Sequence, residues 1–289
     1  MAQDRMEESS AAVKALYGTE NPCSIKGAPE LGEIMQKFIY SDVNNQVKMP
    51  LAQKELLTLV VLTANNTPED IGIHVKGALN AGATPEEICE TIYQCTPYVG
   101  FARSKAALIE MQIAFEEAGV KLPLENQGTT TDADCIAKGE QTQVDIFGDR
   151  MRGFANSGKG DQAHINNWLS GNCFGDYYTR KVLDLKQREL ITFTAIITLG
   201  CCDPQAKAHV NGNLGVGNTR QDLIDAVTVA LPYIGYPRTL NAISAINAVV
   251  PADTVNNTVG CKLVAVAGFT YLGAFWHSLS AFWRSASVS

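Results

Sequence analysis

The sequence predicts an all-α fold built from two similar halves. Strand-like alternation of apolar and polar residues is absent, and apolar residues instead recur at helical spacing. The third observation is an internal repeat, because residues 51–103 and 185–238 show the same order of amino acids. The matching residues lie 134 or 135 positions apart: Glu55 and Glu189, His74 and His209, Gly82 and Gly217, Tyr98 and Tyr233, Arg103 and Arg238. Two copies are too few for a solenoid and predict a duplicated domain whose halves pack as a pseudo-dimer.

The repeat also sets the predicted domain boundaries. A chain of 289 residues is long enough for two domains with their own cores. Residues 122–131 are polar and contain a proline and a glycine, which is typical of a linker. We therefore place the first unit at residues 1–124, the second at 125–251 and an apolar tail at 252–289.

Three helices are predicted in the first 65 residues. Residues 4–17 form a helix that Gly18 ends. Residues 29–42 carry apolar side chains at helical spacing. Residues 51–64 are so uniformly apolar that their helix is expected to be buried on nearly every side, and an Asn-Asn pair ends it.

Two Thr-Pro-Glu sequences mark the next helix starts in the first half. Thr67 and Thr84 are the expected N-caps, each followed by a proline at the first helical position. Glu87, three residues after the second cap, completes a capping box. The helix that follows Thr67 ends near Gly82, and the last helix of this half covers about residues 98–118.

The second half repeats this plan. Its predicted helices are residues 132–151, 161–173, 185–199, 203–215, 219–230 and 233–249.

Composition excludes several classes of function. The net charge of −7, without a cluster of Lys or Arg, argues against nucleic acid or an anionic membrane surface as a partner. Eight cysteines at irregular spacing and a start without a signal peptide indicate reduced thiols in the cytoplasm. No Cys-x-x-Cys occurs, so the sequence predicts neither a metal site nor thioredoxin-type chemistry.

The apolar tail leaves three interpretations open. Residues 262–284 are long enough to span a bilayer, with Trp276 and Trp283 near one end. Glycine, serine and His277 make the span marginal, and membrane contact is not the favoured interpretation. The alternatives are an added helix that covers an apolar patch and a non-native tail.

A carboxylate and a histidine are expected to meet in each half. Glu55 and His74 lie on consecutive helices whose tight connection makes them antiparallel. A lone carboxylate in an apolar helix is unfavourable, so pairing is expected. The pair is either a buried hydrogen bond between helices or a proton shuttle. The second half keeps the same pair as Glu189 and His209, which favours chemistry.

The repeated order KELLTL…H…GALNAGATPEEI…YVGFAR resembles the carboxymuconolactone decarboxylase family, which includes the AhpD-like alkylhydroperoxidases. The resemblance covers about residues 5–250 as two family units in tandem. It implies an AhpD-like helical bundle in each unit. It also implies cofactor-free decarboxylation, or related acid–base chemistry, on a small anionic carboxylated lactone.

The cysteine motif of the AhpD-like branch is incomplete in both halves. That motif is a Glu, then Cys-x-x-Cys, then a His four residues later. Thr67 and Asp70 stand at the cysteine positions in the first half, and Cys202 and Gln205 in the second. Neither half can form the disulfide of such a peroxidase. Cys202 is either a reactive thiol seven residues before His209 or a small residue at a helix start.

The decarboxylase branch fits better. Its members carry an acidic residue four before the histidine, as Asp70 precedes His74, which places both on one helical face. They also carry a segment similar to residues 174–180, FGDYYTR. Arg180 in that segment suits a substrate carboxylate, and the alternative is a salt bridge with Asp176 that fixes the loop.

Two tyrosines complete the candidate site. Tyr98 and Tyr233 are able to donate a hydrogen bond to a developing enolate oxygen, although a core or interface position is the favoured interpretation. The catalytic candidates are Glu55, Asp70, His74, Glu189, Cys202 and His209. We expect the second half to be the active one. The alternatives are a thiol-dependent peroxidase that uses Cys202 and a non-catalytic small-molecule binding or assembly protein.

The tandem repeat predicts the oligomeric state. Single-unit members of the family form rings, commonly hexamers, and a two-unit chain needs half as many copies. We predict a homotrimer with pseudo-sixfold symmetry that is held by apolar helix faces. Light scattering on protein truncated at Pro251 should give about three chains per particle. A monodisperse monomer would contradict this prediction.

Overall fold

The computed structural model describes residues 4–252, and in that range the chain forms helices and turns but no strand. The first half contains α1 (Arg5–Tyr17), α2 (Pro29–Lys37), α3 (Asn44–Gln46), α4 (Leu51–Asn65), α5 (Ile71–Asn80), α6 (Pro85–Val99) and α7 (Phe101–Glu117). The second half contains α8 (Cys135–Phe147), α9 (Ala163–Trp168), α10 (Leu185–Leu199), α11 (Asp203–Gly215) and α12 (Arg220–Val249). The predicted all-α class is confirmed.

The described residues test neither the interpretation of the apolar tail nor the predicted domain boundary. Across the described range, no helix has both the length and the apolar character needed to cross a membrane. The three interpretations of the apolar tail concern residues outside that range. The division at residue 124 stays a prediction.

A π-helical segment follows the second helix of each half. α2 continues into the π-helix Phe38–Val43, and α9 continues into the π-helix Leu169–Tyr177. The sequence predicts plain helices at residues 29–42 and 161–173. The predicted hydrogen-bond pattern and the predicted helix ends are therefore wrong in both places. Apolar spacing does not distinguish an α-helix from a π-helix over one or two turns. Such segments are frequent at functional sites in other proteins.

A turn at a glycine replaces the predicted helix start at Tyr98. α6 continues past Tyr98, and α7 begins just after Gly100. Gly100 and its counterpart Gly235 have φ values of 86° and 75°, which L side chains rarely adopt. The helices predicted at 219–230 and 233–249 correspond to two helical segments within α12, which meet at Gly235, where the backbone is not helical.

The two predicted threonine caps have different outcomes. Thr84 accepts a hydrogen bond from the Glu87 backbone N–H at 3.1 Å, and the Glu87 carboxylate accepts one from the Thr84 N–H at 2.8 Å. This capping box is confirmed. Thr67 occupies the predicted N-cap position, before the 3₁₀ turn Pro68–Asp70 that begins with the predicted proline. Its side chain makes no capping hydrogen bond, because the hydroxyl donates to the Leu62 carbonyl oxygen at the end of α4 at 3.3 Å.

The centre of the fold is one apolar core that both halves share. α4 and α10 pack against each other, α4 also contacts α12, and α10 also contacts α6. Leu57 and Val61 of α4 belong to the same buried cluster as Leu190 and Phe193 of α10. Burying each such side chain contributes about 1.5–3 kcal/mol. The halves therefore pack as the pseudo-dimer that the repeat predicts.

A buried ionic cluster also joins the halves. Arg188 on α10 has no exposed side-chain surface and donates to the Glu90 carboxylate on α6 at 3.1 Å. Arg180 donates to the same carboxylate through Nε at 2.9 Å. Arg188 also binds Gln94 and the carbonyl oxygens of residues 180 and 181. Burial lowers the pKa of the Arg188 guanidinium and the neighbouring Glu90 raises it, so an intact cluster keeps the charge in place.

We predict that Glu90→Gln lowers the free energy of unfolding by about 3–5 kcal/mol, because it leaves two guanidiniums without their anion. Asp149→Asn is the matched control, since Asp149 pairs with Arg152 on the surface. Its loss should cost less than about 1 kcal/mol. Urea unfolding at a fixed protein concentration measures both changes. Equal effects of the two substitutions would contradict the structural role of Glu90.

Candidate active site

Each half holds one buried glutamate–histidine pair. Nδ1 of His74 lies 2.8 Å from Oε2 of Glu55, and Nδ1 of His209 lies 2.9 Å from Oε2 of Glu189. All four side chains are buried, and Glu189 is completely so. The pairs form because α4 with α5, and α10 with α11, are consecutive packed helices. The structure thus brings together the residues that the sequence singles out.

A tyrosine hydroxyl binds the second oxygen of each glutamate. Tyr17 donates to Oε1 of Glu55 at 2.8 Å, and Tyr178 donates to Oε1 of Glu189 at 2.7 Å. Burial, together with the nearby glutamate, raises the pKa of each phenol, so both hydroxyls keep their protons. Each carboxylate is therefore held on both oxygens, and the sequence analysis gave neither tyrosine this role.

The two tyrosines occupy different positions in the repeat. Tyr17 is the last residue of α1, and the last residue of the matching helix α8 is Phe147. Tyr178 follows the second π-helix, and the residue 134 positions earlier is Asn44. Comparing the two copies of the repeat therefore does not reveal that each glutamate accepts a hydrogen bond from a tyrosine. In the structure, both glutamates have such a donor, but the two tyrosines come from different positions of their halves.

Each histidine is covered by a tyrosine of the other half. The Tyr233 ring stands edge-on to His74 at 6.2 Å between centroids, and the Tyr98 ring stands edge-on to His209 at 5.6 Å. Burial raises the pKa of both tyrosines, so their hydroxyls also stay protonated. Both candidate sites thus lie where the halves meet, and neither half completes its site alone.

The second site also contains a cysteine that the sequence did not single out. Cys173 in the second π-helix donates to the Tyr98 hydroxyl at 3.6 Å, and Tyr98 is hydrogen-bonded to the Tyr178 hydroxyl at 2.9 Å. Burial raises the pKa of Cys173 to about 12. Its thiol is therefore protonated and unreactive at neutral pH.

Cys202 lies at the other end of the helix that carries His209. It precedes the first residue of α11 and lines a cavity of about 20 Å³ with Arg238. Seven residues of helix separate it from His209, which corresponds to roughly 10 Å along the axis. Within the described range, no hydrogen bond joins Cys202 to either candidate pair. A catalytic role for this thiol stays a prediction.

Asp70 has the position that the decarboxylase branch implies. It lies on the short 3₁₀ turn that leads into α5, one helical turn before His74. Desolvation raises the pKa of its carboxyl, and the nearby His74 opposes that shift. The counterpart in the second half is Gln205, so the two sites differ in charge on this side of the histidine.

The alternative interpretation of this segment, a salt bridge between Asp176 and Arg180, is wrong. Asp176 is exposed and accepts a hydrogen bond from Asn172 at 3.0 Å. Arg180 turns towards the first half, where it binds Glu90 and lies 4.9 Å from the centroid of the Tyr93 ring. The deeply buried Glu90 is the stronger partner because Asp176 keeps its hydration. Binding of a substrate carboxylate by Arg180 stays a prediction.

A glycine three residues after each histidine leaves space for the glutamate. A Cβ at Gly77 would lie 2.8 Å from Oε2 of Glu55 and would also meet Tyr17. A Cβ at Gly212 would lie 2.8 Å from Phe147 and would also meet Glu189. Both glycines are thus required because the glutamate packs closely against them. Separately, the described residues contain no cluster of side chains that could bind a metal ion.

We predict that Gly77→Ala and Gly212→Ala each lower the free energy of unfolding by about 1–3 kcal/mol, because the methyl group overpacks the glutamate. Gly72→Ala, on the same helix as Gly77, is the control, since a Cβ at Gly72 meets nothing within 4 Å. That substitution should stabilise the helix by about 0.5–1 kcal/mol. Urea unfolding measures all three. If Gly77→Ala and Gly72→Ala behave alike, the close packing of Glu55 is refuted.

Comparison with known proteins identifies the family. The model of the carboxymuconolactone decarboxylase family matches residues 29–112 and 164–248. The 4-carboxymuconolactone decarboxylase of Acinetobacter baylyi is 27% identical over 86 residues, which are 30% of this chain and 64% of that enzyme. A crystal structure described as a gamma-carboxymuconolactone decarboxylase subunit from Burkholderia xenovorans is 16% identical. It covers 86% of this chain and 98% of that one, with a TM-score of 0.48. Because the family model matches more than half of the chain, in two regions, this protein belongs to the carboxymuconolactone decarboxylase family.

Proposed function

We propose that this protein is a cofactor-free acid–base enzyme that removes CO₂ from a small carboxylated lactone or a related acid. The observation that carries the proposal is the buried Glu–His pair with a tyrosine on the second carboxylate oxygen. Nδ1 of each histidine is used by the glutamate. Nε2 makes no hydrogen bond to another described residue in either half and is left for a substrate proton.

The arrangement supplies the proton that decarboxylation requires. The bond between the substrate carbon and its carboxylate breaks, CO₂ leaves, and the electron pair passes into the conjugated lactone carbonyl. Nε2–H of the histidine then donates its proton to carbon, and the imidazole recovers a proton from solvent. The glutamate holds the imidazole in one orientation through Nδ1, so that Nε2 faces the substrate carbon.

The tyrosines support this role in two ways. Tyr17 and Tyr178 fix the carboxylates, which otherwise would be free to rotate away from the imidazoles. Tyr98 and Tyr233, whose pKa values burial raises, are hydrogen-bond donors beside the histidines. Such a donor is suited to the oxygen of an enolate. The pairs are less suited to a thiol-dependent peroxidase, because no cysteine of residues 4–252 is hydrogen-bonded to either histidine.

We expect decarboxylation to depend on one histidine. His74→Ala or His209→Ala should lower the rate of CO₂ release from the accepted carboxylactone by at least about 100-fold. His164→Ala is the control, because His164 is exposed beside Trp168 and far from both pairs in sequence. Its rate should equal that of the unmodified protein.

The same assay separates decarboxylation from the thiol-dependent alternative. Cys202→Ser should leave CO₂ release nearly unchanged, because no covalent sulfur step occurs. A parallel peroxide assay with a thiol reductant should show no turnover. Loss of a peroxidase activity in Cys202→Ser, with no CO₂ release from any carboxylactone, would replace this proposal with the thiol chemistry. No activity in either assay would leave a binding protein.

A further inference from the structure

Two cavities near the first Glu–His pair share lining residues. The inner cavity has a volume of about 30 Å³, enough for one water molecule, and is lined by Glu55, Tyr40 and Thr58. The outer cavity has a volume of about 480 Å³. Ile39 and Tyr233 line both cavities, so these two side chains form the wall between them. Beyond that wall lies the carboxylate of Glu55.

We propose that the outer cavity is the substrate pocket of the first half and that Ile39 and Tyr233 form its gate to the Glu55–His74 pair. This inference rests on the proposed function and adds the active half and the chemical class of the substrate. Both gate side chains are only half-buried, and Tyr233 already touches His74 edge-on. Because Ile39 and Tyr233 line both cavities, movement of these side chains is the step that would connect the cavities.

The charge of the outer cavity selects an anion. Arg5 and Lys37 line it, and no carboxylate does. Arg5 pairs with Asp42 through one guanidinium nitrogen, which leaves its other donors available. Lys37 has only a long contact of 3.9 Å with Glu33. The remaining walls are apolar: Ile34, Met35, Phe38, Leu231 and Pro232.

The size of the outer cavity indicates the body of the ligand. Its volume falls within the roughly 300–1,000 Å³ that drug-sized ligands occupy, which is more than one five-membered ring needs. Ile34 and Tyr236 at its walls are 60% and 64% exposed, so the pocket opens to solvent. The ligand class is therefore a carboxylic acid whose apolar body is larger than a single lactone ring.

The second half lacks the residues that give this pocket its character. The counterparts of Ile34, Lys37, Phe38 and Ile39, 134 positions later, are Trp168, Gly171, Asn172 and Cys173. Arg5, the first residue of α1, corresponds to Cys135, the first residue of α8. Both cations and two apolar walls are thus absent beside His209. This difference assigns the substrate to the first half, whereas the sequence favours the second.

Binding of an unreactive probe tests the pocket without any turnover. Calorimetry should show that 2-naphthoate binds at least about tenfold more tightly than its neutral amide, 2-naphthamide. Ile34→Trp, which introduces the residue of the second half, and Lys37→Gln should each weaken 2-naphthoate by about tenfold or more. Ile109→Trp is the control, since Ile109 on α7 is also half-exposed but does not line the pocket. It should bind as the unmodified protein does.

Three results would overturn the inference. The first is equal affinity for the acid and the amide. The second is unchanged 2-naphthoate binding in Ile34→Trp and Lys37→Gln. The third is a change of particle mass in Ile34→Trp, seen by light scattering, with unchanged probe affinity, because a second copy would then cover this face.

Failure of the pocket and failure of the proposed function give different patterns. If a carboxylactone releases CO₂ and only His209→Ala abolishes the reaction, the decarboxylase proposal stands and the pocket is overturned. If 2-naphthoate shows the expected dependence on Ile34 and Lys37 but no carboxylactone reacts, the pocket stands and the decarboxylase proposal falls. Loss of CO₂ release in both His74→Ala and Ile34→Trp supports the two together.

Discussion

Burying a carboxylate in the central helix of each half is the constraint on which the rest of the site depends. Residues 55–64 of α4 are buried without interruption, and Glu55 is the first of them. Glu189 occupies the same place on α10 and has no solvent contact. Removing the partner of a buried ion typically costs about 3–5 kcal/mol. Each buried carboxylate therefore needs partners and space. The histidine of the next helix and a tyrosine hydroxyl bind its two oxygens, and a glycine leaves room for it.

The two halves use tyrosines from different positions to bind the second oxygen of the buried glutamate. The carboxylate needs a donor on its second oxygen, but any position whose side chain reaches that oxygen satisfies it. Tyr17 reaches Glu55 from α1, and Tyr178 reaches Glu189 from the end of a π-helix. Tyr233 and Tyr98 then close the sites across the pseudo-dimer. Each site is therefore complete only when the two halves are packed together.

Local and repeated features were predictable from the sequence. The all-α class followed from apolar spacing, and the meeting of Glu55 with His74 followed from a tight connection between two helices. The capping box at Thr84 followed from four adjacent residues. Each of these depends on contacts that are short in sequence or visible twice.

Features that depend on long-range geometry were not predictable. The bond between Arg188 and Glu90 joins residues 98 positions apart, and nothing local marks either one as buried. The π-helices bring Tyr40, and Tyr178 just after the second of them, to the sites, but the spacing of their apolar residues equals that of an α-helix. The alternative of an Asp176–Arg180 salt bridge was wrong because the spacing of side chains along a turn does not reveal a buried partner in the other half. A sequence comparison of the copies also conceals Tyr17 and Tyr178, since neither has a tyrosine counterpart.

The presence of a Glu–His pair in both halves is therefore weak support for two active sites. Because Glu189 is buried, loss of His209 or Tyr178 leaves its carboxylate without one of its partners and lowers the free energy of unfolding, whether or not the site is catalytic. Stability alone is enough to explain the second pair. A pocket is different, because its charge and shape contribute little to the stability of the core. Arg5, Lys37 and the apolar walls beside the first pair have no such structural necessity. The proposal that the first half binds the substrate therefore rests on the residues that line the outer cavity and not on the Glu–His pair itself.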